Sequence, residues 1–248
     1  MPQVVRYPRA PIKEAVLEIK VKLPPHANLE TLLPFAKLMQ DQYPSRQTRM
    51  SWRSGFKAEE GGKPVVFEPS GEAVGYFLTS ADGKRIAQAL LTGFVFSWLS
   101  PYDTWDSFRD AARLLWEEYK KVTSPLAVTR ISLRYINRIE IPLPMNDFND
   151  YILTFPQIAQ GLPQGMSNFF VRLEVPYTDL GILSVITETM DVITEPSKLP
   201  LIFDIDVIRE TLFQPVSEDI WKSFEKLRDV KNEIFFNSLT SKAKELFQ

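Results

Sequence analysis

Two segments of this chain alternate apolar and polar residues with a period of two, and this constrains the fold more than any other feature. The first is Glu14–Leu23 and the second is Arg130–Ile141. A period of two sends successive side chains to opposite faces of a strand, so one face is buried and the other meets water. Antiparallel sheets commonly show this pattern. The apolar positions are Ala15, Leu17, Ile19, Val21 and Leu23 in the first segment, and Ile131, Leu133, Tyr135, Ile139 and Ile141 in the second.

Glycine is scarce, at 10 of 248 residues, so the places where it clusters are informative. Three turn signals follow one another closely: Glu60–Lys63, Pro69–Glu72 and Ala81–Lys84. Asp82-Gly83 favours a type I′ hairpin, in which both central residues need positive φ. We therefore predict an antiparallel meander of four strands, at Arg46–Lys57, Pro64–Glu68, Ala73–Ser80 and Lys84–Trp98.

Capping residues and apolar stripes predict the helices. Asn28 is placed to cap a first helix, Pro101–Thr104 starts a second, and Ser217–Asp219 opens a long C-terminal helix that breaks near Asn237-Ser238. Apolar residues recur at helical spacing in each. In the second helix the stripe consists of Trp105, Phe108, Ala112, Leu115, Trp116 and Tyr119.

The second half of the chain repeats the order of the first. After the strand that begins at Ala127, a short helix is expected to open at Asn146 or Asp147. Three strands and the C-terminal helix follow. The predicted fold is therefore α+β, built from two duplicated β-α-β(3-4)-α units, 1–124 and 125–248. The two units are expected to form one globular body, with helices on one face of an antiparallel sheet. This arrangement is analogous to TATA-binding-protein-like or helix-grip folds. The later strands are predicted at Phe169–Val175, Leu180–Met190 and Leu201–Glu210.

Composition excludes several kinds of chemistry. The chain has no Cys and one His, His26, which rules out a disulfide framework, a Cys nucleophile and a multi-His metal site. A Ser-His-Asp triad would depend on His26 alone, which lies in a predicted loop. No phosphate-loop or dinucleotide-binding motif occurs, so no cofactor is predicted. The net charge of −2 does not favour nonspecific nucleic-acid binding. The sequence also lacks a signal-peptide pattern and an apolar run of membrane-spanning length, and a cytoplasmic protein is expected.

Four stretches of the chain are distinctive as a set. They are PIKEAVLE at 11–18, FVFSWLSP at 94–101, RISLRYINRIEIP at 130–142 and WKSFEKLRDVKNEIFFNSLTSKAKELF at 221–247. Together they resemble a sporadically distributed prokaryotic family of similar length with no assigned function, and the resemblance covers most of the chain. It implies membership of a family but no activity, and such a distribution is compatible with carriage on mobile elements or defence islands.

An arginine row is the first candidate site. Arg130, Arg134 and Arg138 share one face of a predicted strand, about 13 Å between neighbours, and guanidinium groups bind phosphates and carboxylates. Cross-strand pairing with acids is the default interpretation, and Asp204 and Asp206 are suitable partners. The row is therefore a candidate anion or nucleic-acid site with an ordinary structural alternative.

A second basic row lies on the predicted strand Arg46–Lys57. Arg49 and Arg53 share one face of this strand, and the two basic rows would line one surface if the halves are pseudo-symmetric. Trp52 lies nearby and would stack on a base in a nucleic-acid site. A buried core position is the default expectation for this large aromatic residue.

Asp204 and Asp206 form a weaker candidate. Paired carboxylates bind Mg²⁺ or perform acid–base chemistry, here with Glu188 or Glu210 as companions. A metal site would need a third carboxylate, which the sequence does not place. This pattern is common on strands, so it points only weakly to a phosphoesterase.

Three hypotheses about function remain. The favoured one is a non-catalytic binding or regulatory protein, because catalytic motifs are missing and the aromatic residues exceed the needs of the core. These aromatics suggest a homodimer, another protein partner or a ligand pocket. The alternatives are a nucleic-acid or nucleotide binder that uses the arginine row and a carboxylate-dependent or metal-dependent phosphoesterase.

Overall fold

The structure, a computed structural model, describes residues 7–57 and 65–248, with only the backbone at 53–57 and 65–70. Within these ranges the fold is α+β. The strands are β1 (Ile12–Lys22), β2 (Ser45–Lys57), β3 (Val65–Thr79), β4 (Arg85–Leu90), β5 (Gly93–Leu99), β6 (Ala127–Pro142), β7 (Phe170–Tyr177), β8 (Ile182–Met190) and β9 (Lys198–Phe213). The helices are α1 (Leu29–Leu38), α2 (Trp105–Thr123), α3 (Asp219–Ser238) and α4 (Ser241–Glu245).

All the strands join one antiparallel sheet. Their order is β2-β3-β4-β5-β1-β6-β9-β8-β7, and every neighbouring pair is antiparallel. β1 and β6 are adjacent, with Leu17 opposite Leu133. The pairing of β1 with β6 therefore connects the first half of the chain to the second by backbone hydrogen bonds.

One face of the sheet carries the core and the helices, and we call it the covered face. The alternation predicted for β1 is confirmed, because Ala15, Leu17 and Ile19 have no solvent exposure. α3 lies against β6 and β9, α2 contacts β5, and α1 contacts β3 and β4. The predicted apolar stripe of α2 is buried along its length. Each large apolar side chain buried here contributes roughly 1.5–3 kcal/mol to folding.

The predicted caps are found at the helix ends. The Asn28 side chain accepts a hydrogen bond from the Thr31 amide, and Thr104 accepts one from the Ser107 amide. α3 ends at Ser238, and Thr240 then caps α4 by accepting from the Ala243 amide. These side chains bind amides that have no partner within the helix. At the start of α3, within the predicted Ser217–Asp219 opening, the N-cap residue Glu218 makes no side-chain cap hydrogen bond.

The turn predicted at Pro69–Glu72 is wrong, because β3 continues through these residues. Gly71 pairs with Trp52 of β2, and a Cβ atom on Gly71 would lie 3.0 Å from the indole ring. The glycine therefore makes room for an aromatic neighbour within a strand. The single strand predicted at Lys84–Trp98 is divided by a turn into β4 and β5. The turn predicted at Glu60–Lys63 lies outside the described residues.

The hairpin at Asp82-Gly83 is confirmed, but the predicted turn type is wrong. Only Gly83 of the pair has positive φ, at 70°, whereas a type I′ turn needs positive φ at both positions. The Asp82 carboxylate accepts hydrogen bonds from the Ser80 hydroxyl at 2.6 Å and the Lys84 amide at 2.9 Å. Side-chain hydrogen bonds therefore support a longer connection between β3 and β4.

The second half also departs from the predicted boundaries. The helix expected at Asn146 or Asp147 is a single 3-10 turn, Phe148–Asp150, capped by Asp147. β9 extends beyond its prediction because it pairs with β6 from Lys198 to Phe213. In the described part of the chain, no helix has the length and apolar character needed to cross a membrane.

Replacing Gly93 with alanine is expected to destabilise the protein by about 2–3 kcal/mol, because the new methyl group would overlap backbone atoms. A Cβ at Gly93 would lie 2.3 Å from the carbonyl oxygen of Ile19 in the neighbouring strand. Gly165→Ala is the control, because a Cβ there meets no atom within 4 Å. Urea unfolding measures both variants, and equal stabilities would contradict this account of the β1–β5 contact.

Candidate functional site

The predicted arginine row lies on the face of the sheet opposite the core, which we call the open face. In β6, Ile131, Leu133 and Tyr135 are buried on the covered face. Arg130, Arg134 and Arg138 alternate with these core residues and so point the other way. The pleat therefore places the three guanidinium groups on the surface that the sequence predicted.

Arg134 forms a two-pronged ion pair with Asp204 of β9. Its Nε atom lies 2.8 Å from Oδ1, and its Nη2 atom lies 2.5 Å from Oδ2. The Asp204 side chain is 11% exposed, whereas that of Arg134 is 45% exposed. Hydrogen bonds to Asp204 raise the pKa of Arg134 above its ordinary value. This geometry matches cross-strand pairing, the structural alternative for the row.

The other two arginines also have carboxylate partners. Arg130 binds Glu18 of β1 and lies 3.9 Å from a carboxylate oxygen of Asp206. Arg138 binds Glu140, and its Nε donates to Asp191 at 2.7 Å. Each guanidinium of the row is therefore neutralised locally before any external anion is considered.

Asp204 and Asp206 do not gather the third carboxylate that a metal site needs. Glu188 lies on the covered face, because its neighbour Thr187 is the residue opposite Asp204; grouping Glu188 with the two aspartates was wrong. Glu210 is on the open face, opposite Arg130. Burial raises the pKa of Asp206, while Arg130 and Arg134 oppose that shift. The described residues contain no cluster of three His, Cys, Asp or Glu suited to a metal ion.

The second basic row is far from the first. Arg49 is on β2 at the edge of the sheet, so it lies about 24 Å from the β6 row across the strands. The Arg53 side chain falls outside the described residues. Trp52 is 67% exposed, which contradicts its expected place in the core. Its ring lies beside Gly71. The rows are therefore not brought together into one cluster.

Apolar side chains occupy the open face between the paired charges. Val16 lies opposite Arg134, Ile136 lies opposite both Glu14 and Asp204, and Val185 lies opposite Asp206. All three are partly exposed. Across the described chain, these three are not among the apolar residues that pack against the core. The open face is thus a mosaic of apolar patches and internally paired charges.

A polar cluster at the junction of α2, α3 and β6 was missed by the sequence reasoning. The Lys231 ammonium lies 4.1 Å from the centre of the Tyr135 ring. The Tyr135 hydroxyl is 2.9 Å from that of Tyr102. Burial, reinforced by the nearby charge of Arg228, lowers the pKa of Lys231 to about 7. We call Lys231, Tyr135 and Tyr102 the amine cluster.

One sequence signal would have identified Lys231. It lies four residues after Leu227 and seven after Phe224, both of which belong to the apolar stripe of α3. Residues at this spacing share one side of a helix, so the lysine faces inward. A lysine at such a position has an energetic cost unless its amine finds partners or loses its proton.

Glu188 is a second unusual group on the covered face. Its side chain has no solvent exposure, and neither carboxylate oxygen has a hydrogen-bond partner among the described residues. Burial raises its pKa from an ordinary 4.5 to about 8. At neutral pH this carboxyl group is therefore protonated.

A double-mutant cycle on Arg134→Ala and Asp204→Ala is expected to give a coupling energy of about 1–2 kcal/mol, since Asp204 is largely desolvated and the hydrogen bonds are charge-assisted. Arg172 and Glu174 form the control pair, in which both side chains are about half exposed. Their coupling is expected below about 0.5 kcal/mol. Urea unfolding measures both cycles, and equal couplings would refute a special role for the first pair.

Glu188→Gln is expected to stabilise the protein increasingly as pH rises. The unfolded carboxyl loses its proton near pH 4.5 and the folded one near pH 8. Between these values the wild-type folded state holds the extra proton, so its free energy of unfolding falls by up to about 1.4 kcal/mol per pH unit. Glutamine stays neutral and removes this loss.

The measurement is the difference in Tm between Glu188→Gln and the wild type from pH 5 to pH 9. Glu174→Gln is the control, because the Glu174 side chain is exposed. Parallel pH profiles for Glu188→Gln and the wild type would show that Glu188 ionises normally in the folded protein.

Comparison with known proteins provides no additional assignment. A scan against protein-family models and a search of the curated proteins find no match to this chain. Function is therefore inferred from the side chains on the two faces of the sheet.

Proposed function

We propose that this chain is a non-catalytic binding or regulatory protein, and that a partner protein binds the open face of its sheet. The observation that carries the proposal is the mosaic of partly exposed apolar side chains and internally paired charges on this face. Val16, Ile136 and Val185 lie outside the packed core. Burying such apolar area against a partner is favourable, and the surrounding polar groups provide specificity.

The charge balance of the open face supports a protein partner over a nucleic acid. Nucleic-acid affinity comes chiefly from cations that neutralise phosphates. Arg134 is held by Asp204, Arg130 by Glu18, and Arg138 by Glu140 and Asp191. A phosphate would have to displace these carboxylates, whereas a protein surface complements them without disrupting the pairs.

The phosphoesterase alternative has less support. Asp204, one of its two carboxylates, accepts hydrogen bonds from Arg134 on both oxygens. A cation would compete directly with this guanidinium. Glu188, considered as a further ligand, is on the other face.

The strand order supports an internal duplication. Counted outward from the central pair, one side runs β1-β5-β4-β3-β2 and the other runs β6-β9-β8-β7. In each half, the first strand lies next to the last strand of that half. We infer that 1–124 and 125–248 are two versions of one unit, as the analogy with TATA-binding-protein-like folds expects. Under this proposal the open face spans both units and is one continuous binding surface.

Site-specific photo-cross-linking tests the proposal in the native host. Benzoylphenylalanine at Ile136 is expected to form one discrete adduct with a partner protein, because this position is at the centre of the open face. The matched control position is Leu114 of α2, which is 71% exposed and lies on the helix side. It is expected to give no such adduct. Mass spectrometry identifies the product.

Three outcomes would overturn this proposal. They are the absence of a discrete adduct at Ile136, the same adduct at both positions, and an adduct that contains nucleic acid. An adduct between two copies of the chain would replace the partner protein with self-association.

Nucleic-acid binding is expected to be weak and independent of the arginine row. With a labelled oligonucleotide at low salt, fluorescence anisotropy should give the same response for the wild type and for Arg134→Ala/Arg138→Ala, because these guanidinium groups are already paired. Loss of salt-sensitive binding in the double variant would instead favour the nucleic-acid alternative.

A further inference from the structure

The amine cluster lies on the covered side of the sheet, where the N-terminal end of α2 approaches the middle of α3. Lys231 of α3 lies above the ring of Tyr135 in β6, at 4.1 Å from its centre. Tyr102, in the loop before α2, contacts the Tyr135 hydroxyl at 2.9 Å. Three separate segments of the chain thus bring an amine and two phenols together.

Lys231 has no carboxylate partner within the part of the chain that the structure describes. The carboxylate nearby on the same helix, Glu225, accepts hydrogen bonds from the Trp105 indole at 2.8 Å and from Arg109 at 2.9 Å. It also lies 3.7 Å from Arg228. The Lys231 amine itself donates to the Asn232 side chain at 2.6 Å. The charge of Glu225 is therefore used by other groups.

The state of this amine differs from that of an ordinary lysine. Burial and the adjacent positive charge of Arg228 lower the pKa of Lys231 to about 7. Roughly half of the amine is unprotonated at neutral pH, whereas an ordinary lysine is almost entirely an ammonium ion. Lys231 is partly exposed rather than fully buried as a residue. Neutral lysine amines of this kind act as nucleophiles.

We propose that Lys231 binds a small carbonyl compound, an aldehyde or a ketone, as an imine at the amine cluster. This goes beyond the proposed function, because the site is on the opposite side of the sheet from the open face and takes a small molecule. A ligand site of this kind suits a regulatory protein.

The reaction balances without a further reactant. The lone pair of the Lys231 nitrogen attacks the carbonyl carbon, and the resulting carbinolamine loses its oxygen as water. Both protons of the neutral amine leave with that water, and a carbon–nitrogen double bond forms. Addition of water reverses each step, so the ligand is released unchanged.

The two tyrosines contribute a hydrogen-bond donor. Burial raises the pKa of Tyr102 to about 12 and that of Tyr135 well above its ordinary value, so both hydroxyls keep their protons at neutral pH. One hydroxyl donates to the other, which leaves one hydrogen free. In this proposal it bonds the ligand oxygen and assists its departure as water.

Reductive labelling of the folded wild-type protein tests the proposal. Benzaldehyde is the probe, cyanoborohydride traps any imine as a stable amine, and peptide mass spectrometry gives the labelling rate of each lysine. Lys242 is the matched control, because it lies 4.7 Å from the ring of Tyr151 but binds Asp150 at 2.8 Å, which raises its pKa. At pH 7, Lys231 is expected to be labelled at least tenfold faster than Lys242.

A second comparison separates reactivity from mere exposure. Arg228→Gln removes the neighbouring charge and is expected to slow labelling of Lys231 at pH 7 severalfold. Arg228 lies against the Trp105 ring and near Glu225. Arg113→Gln is the control, because Arg113 likewise lies against a tryptophan, Trp221, and pairs with a glutamate, Glu218. It is expected to leave the rate unchanged. Labelling of Lys231 no faster than that of Lys242, or equal effects of the two arginine variants, would overturn the proposal.

Discussion

The pairing of β1 with β6 is the interaction on which the rest of the structure depends. It lies at the middle of the nine-stranded sheet and joins the segments on either side of it. The register continues from Glu14 opposite Ile136 to Lys20 opposite Arg130, so it aligns both faces at once. A slip of one residue would send the apolar side chains of β1 to the open face and its charges into the core.

The faces of the central strands could be predicted because a period of two is a direct consequence of the pleat. In β6, the buried residues and the arginines alternate as the sequence indicates, and the acids that hold the arginines come from β1, β6, β9 and Asp191. The particular partner was not predictable. Arg134 is opposite Asp206 but bonds Asp204, the diagonal neighbour, and this choice depends on side-chain geometry that the sequence does not contain.

Glycine was the main source of error in the strands, because it serves two purposes. Gly83 takes a positive φ in a turn, whereas Gly71 lies within β3 beside an indole ring. Local sequence alone does not distinguish the two uses. The amine cluster was missed, and Glu188 was grouped with the wrong residues, for a related reason. A buried polar group looks like a surface group until the face on which it lies is known, and for Lys231 that required the apolar spacing of α3.

Arg134 and Tyr135 are consecutive residues on opposite faces of β6, one held by Asp204 and the other beneath Lys231. Their Cα atoms are about 3.8 Å apart. A single strand thus separates the surface proposed to bind a protein partner from the site proposed to bind a carbonyl compound. A backbone movement at this point that reoriented the Tyr135 ring would also change the approach of Arg134 to the Asp204 carboxylate. The two surfaces are therefore coupled through the shared backbone of β6.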